Sequence, residues 1–361
     1  MISANPFIES LEPYKITSQE IWLSNAPKNI IKLDWNESNI DFDFYKSIFK
    51  EYVEIPGGIS WYPDCISVEL SEVLSNYLKL STANILTYPG SDVALESICR
   101  AYLTLHTNVY IPMPTYENFF VYCYQSGASV KKDVQVFPFS NVMSQLEKAL
   151  DTDTQYKLVY LVNPNNPCGY FIDQTFIRSL LVKYPHTLFV IDEAYIEFSE
   201  QSSMVSHVNQ YENLIVTRTF SKAFGLAGMR LGYVCAHTSI INILAKIRNG
   251  KNVQMLSQKL GICALQNIDK INCWIKEVKI NRSMFEDWCT SNDVPYVSSN
   301  GNFVLFKAKE TDQLCQLLKA ENIFVRNRHP NIEHCIRVTI GTEQEIYYFM
   351  KILDKYMKYI T

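Results

Sequence analysis

The residues best suited to chemistry lie in one run, Thr219-Phe220-Ser221-Lys222-Ala223-Phe224-Gly225-Leu226-Ala227-Gly228-Met229-Arg230-Leu231-Gly232. A lysine among hydroxyls and glycines, with an arginine eight residues on, suits an aldehyde held covalently by the amine, its phosphate resting on hydroxyls and guanidinium. Standing alone, the run would read better as a surface Ser-Lys loop. Val190-Ile191-Asp192-Glu193-Ala194-Tyr195 gives it company: a carboxylate closes an apolar run, where open α/β sheets put their ligands. That carboxylate is either a helix cap or the partner of a protonated ring nitrogen. Tyr195, three residues on, is either a second group for such a ring or a core aromatic. Asn163-Pro164-Asn165-Asn166-Pro167-Cys168-Gly169 is a rigid polar turn after another apolar run. Tyr88-Pro89-Gly90-Ser91-Asp92 opens a helix and offers free backbone N–H groups to an anion or simply caps it.

Positioning these groups on one edge requires a sheet, and the sequence supplies one. From about 82 to 236, short apolar runs alternate with amphipathic stretches, the pattern of a mostly parallel, doubly wound α/β sheet. Strands are expected over 85–88, 109–113, 158–162, 188–191, 214–217 and 231–235, and helices over 92–105, 116–125, 174–183 and 240–248. A long helical pattern over 269–292 bridges to a small C-terminal α+β domain. There, strands are expected over 303–306, 323–325 and 335–339, and helices over 311–321 and 343–356. The first 80 residues read as irregular, wrapping over the surface or a partner chain. The expected division is an arm or substrate lid over 1–40, a large cofactor domain over 41–268, and bridging helix plus small domain over 269–361.

Composition removes several classes. The 361 residues carry 33 Lys plus Arg against 37 Asp plus Glu, for a formal charge of −4, with 47% hydrophobic residues. That is neither a disordered chain nor a polybasic binder of nucleic acid or membrane surfaces. The ten cysteines are spread singly from Cys65 to Cys335 with no C-x-x-C pair, as expected for reduced thiols in a cytoplasmic protein. His329 and His334, five apart beside a proline, do not form a helical metal pair, and no metal is expected. No leader-like start and no apolar run of the ~18 residues needed to span a bilayer is seen, so a soluble, unprocessed chain is expected.

Taken in order, G-S-D, P-T-Y, N-P-N-N-P-x-G, D-E-A-Y and T-F-S-K-A-F-G-L-A-G-M-R-L-G resemble the fold type I pyridoxal-phosphate enzymes. The nearest likeness is to the histidinol-phosphate aminotransferase family, which also includes phospho-amino-acid decarboxylases. It runs from Glu12-Pro13-Tyr14 to Ile336-Arg337-Val338-Thr339-Ile340-Gly341-Thr342. The resemblance implies pyridoxal 5'-phosphate attached to Lys222, with Asp192 on the pyridine nitrogen, Asn166 and Tyr195 on the ring oxygen and Tyr116 stacked on the ring. It places Ser91, Asp92, Thr219, Ser221 and Arg230 at the cofactor phosphate. Tyr62 would reach the neighbouring subunit's cofactor, implying a homodimer with a cross-subunit site. For the substrate it implies Arg337 at a carboxylate, with Asn302, Arg326, Tyr14 and Asn36 nearby. Arg328 reads instead as a solvated basic residue.

Two segments depart from the family pattern. Asn249-Gly250-Lys251-Asn252-Val253 replaces a proline-rich stretch carrying a tyrosine, and Trp35-Asn36-Glu37-Ser38-Asn39 lacks the usual proline. Both border the substrate in the family, so the implied substrate widens from an imidazole compound to a small phosphorylated aldehyde or ketone, with glutamate as amino donor. The alternative activity is decarboxylation of an O-phospho-amino acid such as phosphoserine or phosphothreonine. A non-catalytic ligand sensor is the rival from another class; joint retention of Lys222, Asp192, Tyr195, Asn166 and Arg230 opposes it.

Overall fold

A computed structural model describes residues 5–9, 11, 21, 29–39, 42–152 and 155–361. Seven strands form the large sheet: β2 (Ile85–Tyr88), β3 (Asn108–Met113), β4 (Ser129–Val134), β5 (Tyr156–Val162), β6 (Leu188–Asp192), β7 (Leu214–Thr219) and β8 (Gly232–Ala236), in spatial order β2-β8-β7-β6-β5-β3-β4. Only β8 runs against its neighbours. The parallel strands have apolar runs because helices cover both faces. In β5, Leu158 and Tyr160 pack with the helices Ser91–Tyr102 and Asn118–Gln125, whereas Val159 and Leu161 point into the opposite core with helix Gln174–Lys183. Parallel direction has a functional consequence. It brings the ends of β2, β3, β5, β6 and β7, with the loops that follow, to one edge.

Five strands form the second sheet. A short strand β1 (Ile31–Leu33) joins β9 (Tyr296–Val297), β10 (Phe303–Lys307), β11 (Ile323–Asn327) and β12 (Cys335–Thr339) in the order β1-β11-β12-β10-β9. β1 lies parallel to β11, with Ile31 opposite Ile323 and Leu33 opposite Val325. The remaining pairs are antiparallel, and Arg326 stands opposite Arg337. Helix Glu343–Lys355 starts sharply because Thr342 and Glu345 cap each other's backbone N–H. Helix Ile268–Ser291 buries Trp274, Ile275, Val278 and Phe285 and packs on both Glu343–Lys355 and β10.

Several features differ from the sequence expectation, among them helices Val142–Thr152 and Met255–Gln266 and strand β9, which lie where no element was expected. β4, with the sequence Ser-Val-Lys-Lys-Asp-Val, is an edge strand whose polar residues hide its pairing with β3. The stretch read as irregular contains helices Phe44–Glu54 and Val68–Leu78, both packed on helix Met255–Gln266. Residues 31–33 belong to the sheet of the C-terminal part. Among the described residues no helix is long and apolar enough to cross a membrane. All ten cysteines are unpaired, and seven of them are buried.

Candidate active site

Where the large sheet's strand ends face the second sheet, a cavity of about 610 Å³ opens. Its lining comes from the ends of β5, β6 and β7, the loops after them and after β3, the start of helix Ser91–Tyr102, and β11 and β12. Asp192 ends β6, and its carboxylate accepts from the Tyr160 hydroxyl at 2.8 Å and the Ala194 N–H at 3.2 Å. Burial pushes it up to about 6, although the Tyr160 hydrogen bond pulls the other way. Lys222 follows β7 and donates through Nζ to the Trp35 carbonyl at 2.9 Å. Burial above all, and then Arg337, lower its ammonium to about 8. Tyr195 has its ring 5.8 Å from Nζ, and its hydroxyl accepts from Asn36 Nδ2 at 3.2 Å. Burial raises that phenol to about 12.

At the other end of the cavity, helix Ser91–Tyr102 points its first turn inward behind Gly90. Arg230 Nη2 pairs with Asp92 at 3.1 Å, and the Tyr116 hydroxyl donates to the other Asp92 oxygen at 2.6 Å. Thr219 Oγ1 donates to Ser221 Oγ at 2.9 Å and accepts from the Ser221 N–H at 3.0 Å. Helix N–H groups, two hydroxyls and a half-exposed guanidinium thus form an anion cradle. Its floor demands two glycines. Gly90 has φ +88°, and a Cβ there would meet Arg230; at Gly232 a Cβ would lie 2.6 Å from the Ser91 nitrogen, which is backbone and cannot swing aside. Gly232→Ala is therefore expected to destabilise the protein by about 1–3 kcal/mol and to speed loss of an anionic cofactor on dialysis. Gly228→Ala, whose Cβ meets nothing within 4 Å, should leave the melting temperature close to the parent value.

The second sheet supplies the cations. Arg337 on β12 is buried, donating through Nη1 to Asn166 Oδ1 at 2.6 Å and through Nη2 to the Asp34 carbonyl. Desolvation pulls it down to about 10. Asn36, whose N–H donates to Thr339 Oγ1 at 2.9 Å, has its carbonyl bound by Asn302 Nδ2 at 3.1 Å. Arg326 and Arg328 complete the basic wall. Arg328 corrects the sequence reading: its side chain is only 9% exposed, and it pairs with Glu117 at 2.9 Å. Nothing near it in sequence signals this, because its partner lies 211 positions away. Tyr62 stays outside the cavity at 74% exposed, and Tyr14 lies outside the described residues.

Beneath the lining, Arg218 pairs with Glu193 at 3.0 Å and Glu197 at 3.5 Å, all three side chains buried. Glu193 also accepts from the Met204 N–H, fixing the loop that carries Asp192 and Tyr195 against β7. Sequence reading overlooked this cluster, although Glu193 and Arg218 directly adjoin Asp192 and Thr219.

Pyridoxal phosphate, the group implied by the sequence resemblance, fits these residues. Asp192 is a buried carboxylate with no cation among its perturbing neighbours, suited to a protonated ring nitrogen. Lys222 has the lowered amine affinity for protons that carbonyl addition needs. The cradle at Ser91 and Arg230 suits the phosphate.

Residues 30–353 match the family model of aminotransferase class I and II. The chain is 34% identical to a dihydroxyacetone phosphate transaminase of Campylobacter jejuni, over 99% of this chain and 98% of that one. It is 33% identical to a histidinol-phosphate aminotransferase of Christiangramia forsetii, over 94% and 93% of the two chains. The crystal structure of histidinol-phosphate aminotransferase from Sinorhizobium meliloti in complex with pyridoxal-5'-phosphate superposes with a TM-score of 0.87 at 23% identity, covering 99% of this chain and 98% of that one. With its fold of the type I aminotransferase kind, and a family match along nearly its whole length, the chain belongs to the class I and II aminotransferases.

Proposed function

We propose that this aminotransferase moves an amino group between glutamate and a small phosphorylated ketone or aldehyde, using pyridoxal 5'-phosphate. The observation that carries the reading is the meeting, in one cavity, of Lys222 and Asp192 with a wall of three arginines. Curated relatives named for transamination of phosphorylated compounds support it. When bound, the cofactor supplies an electron-withdrawing ring and a carbonyl carbon that exchanges amino groups.

In this reading Lys222 would anchor the cofactor and, once freed, would carry the proton away from the substrate's α carbon and return it to the cofactor's carbonyl carbon, on the far side of the nitrogen. Asp192 holds the proton on the ring nitrogen. Asn166 and Tyr195 face the ring oxygen and Tyr116 covers the ring, while Ser91, Asp92, Thr219, Ser221 and Arg230 hold the phosphate. Arg337 receives a substrate carboxylate, with Asn36, Asn302 and Arg326 beside it. Residues 1–40 serve as the cover, to which Tyr14 belongs, 41–268 as the cofactor domain and 269–361 as the smaller domain. Unpaired thiols suit a cytoplasmic setting.

We assign the working form to a homodimer in which the partner subunit's Tyr62 reaches the cofactor phosphate. Ile59, Trp61, Tyr62 and Ile66 stand side by side in sequence, each at least two-thirds exposed, an apolar strip that a second copy would cover. Sedimentation of the holoenzyme should give the dimer mass, and Ile59→Glu combined with Ile66→Glu should give monomers that release cofactor. A monomeric, fully active parent enzyme would refute the assignment. For the reaction, purified enzyme with glutamate is offered dihydroxyacetone phosphate, imidazole acetol phosphate and O-phosphothreonine, following ketoglutarate and carbon dioxide. Ketoglutarate formation with a phosphorylated ketone is the expected result; carbon dioxide from O-phosphothreonine without ketoglutarate overturns it.

A further inference from the structure

Behind the two strands that end in Asp192 and Thr219 lies a single guanidinium. Side chains alternate along β6 and β7, so Asp192 and Thr219 face the cavity while Glu193 and Arg218 point to the opposite face of the sheet. The backbone ladder between the two strands ends at this level. Its last register pair is Asp192 with Thr217, and its last bond runs from the Glu193 N–H to the Thr217 carbonyl at 2.9 Å. Past that point Arg218 and Thr219 pair with β8 on the other side, opposite Tyr233 and Gly232.

Arg218 carries the link onward. Its Nε and Nη2 both reach Glu193 Oε2, at 3.1 and 3.0 Å, and its Nη1 reaches Glu197 Oε1 at 3.5 Å. Tyr195 lies between those carboxylates in sequence, just before the short turn Ile196–Phe198, so one guanidinium grips the segment bearing Tyr195 at both ends. Glu193 is fixed from its far side as well, by Ser203 Oγ and the Met204 N–H. On the other strand Arg218 directly precedes Thr219, with Lys222 soon after. Well-packed apolar side chains would stabilise the fold at least as well as three buried charges. What a guanidinium fork adds is a fixed spacing and direction. We propose that Arg218 is a positioning residue which, through Glu193 and Glu197, sets the distance between the Asp192–Tyr195 side of the cofactor site and the Thr219–Lys222 side. The proposal rests on the functional reading above, which gives those four groups to the cofactor, and adds the residue that keeps them in register.

Arg218→Lys keeps a positive charge but loses the fork. Glu193→Gln keeps the size, loses the charge and leaves Glu197 beside Arg218, so it carries the test if the lysine variant does not fold. Apoprotein of either variant should bind pyridoxal 5'-phosphate about 10-fold more weakly, and glutamate should aminate the bound cofactor about 10- to 100-fold more slowly, the cost of a misplacement on the order of 1 Å. The glutamate concentration giving half the maximal rate should change little. Induced visible circular dichroism of the bound cofactor, which follows how its ring is held, should fall in step. The two substitutions combined should be no worse than the more severe one alone, because each breaks the same link. Variants that only melt earlier, with parental amination rate and dichroism below the melting range, would leave Arg218 a purely structural role and overturn the proposal, as would effects that multiply in the double variant. A parent apoprotein that binds no pyridoxal 5'-phosphate overturns the functional reading as well.

Discussion

Lys222→Ala is expected to lower turnover by at least about 10⁴-fold, as loss of both an anchoring amine and a general base would. Geometry leaves no substitute. Among the described residues no other lysine and no histidine lines the cavity, and burial raises Tyr195 to about 12 and pushes Tyr116 higher still, so neither phenol serves as a base near neutrality. With its ammonium lowered to about 8, about a tenth of Lys222 is unprotonated at pH 7, against roughly one in three thousand for an ordinary lysine. Inactivity would not reflect unfolding. A lysine whose folded value is depressed weakens the fold most below about pH 8, so removing it relieves that burden at pH 7 and opposes the packing loss. Melting curves of the two apoproteins check this, and transamination by the variant without added amine would sink the assignment.

Asp192→Asn is the second large effect. The neutral amide can still accept from Tyr160 but offers no charge to a ring cation, and turnover should fall by about 10³-fold, the scale for removing one preorganised electrostatic partner. Apoprotein stability should move the other way. Because burial raises the folded Asp192 to about 6, the native state holds its proton where the unfolded chain has lost it. The wild-type contribution therefore declines as pH rises from about 4 to 6 and stays low above that. Relative to wild type, the variant should gain about 2 kcal/mol between pH 4 and pH 7. Equal pH profiles of unfolding for the two apoproteins would contradict the buried, cation-free setting described for Asp192.

Much of the large sheet was legible because burial on both faces leaves a direct trace. Leu-Val-Tyr-Leu-Val in β5 and Leu-Phe-Val-Ile-Asp in β6 are unbroken apolar runs ending at the site, so their boundaries and Asp192 could be read together. β4 could not, since an edge strand needs only one partner and carries Lys131 and Lys132 outward. The three-residue β1 was missed for another reason: it is too short to show a period, and its partner β11 lies near the other end of the chain. Arg328 and the Glu193–Arg218–Glu197 cluster share that difficulty. Side chains that meet only in three dimensions look, in one dimension, like ordinary surface charge.

The pairing of β1 with β11 also sets the order of assembly during synthesis. Asn36 must wait for Thr339, 303 positions downstream, and at 5–20 residues per second that interval is roughly 15–60 s. Throughout it the carbonyl of Asp34 lacks the Arg337 donor that holds it in the finished enzyme. The large sheet and the anion cradle at Ser91 and Arg230 are thus synthesised before β12 leaves the ribosome. Completion of the cavity therefore comes last, since Arg337 and Thr339 lie on the final strand of the chain.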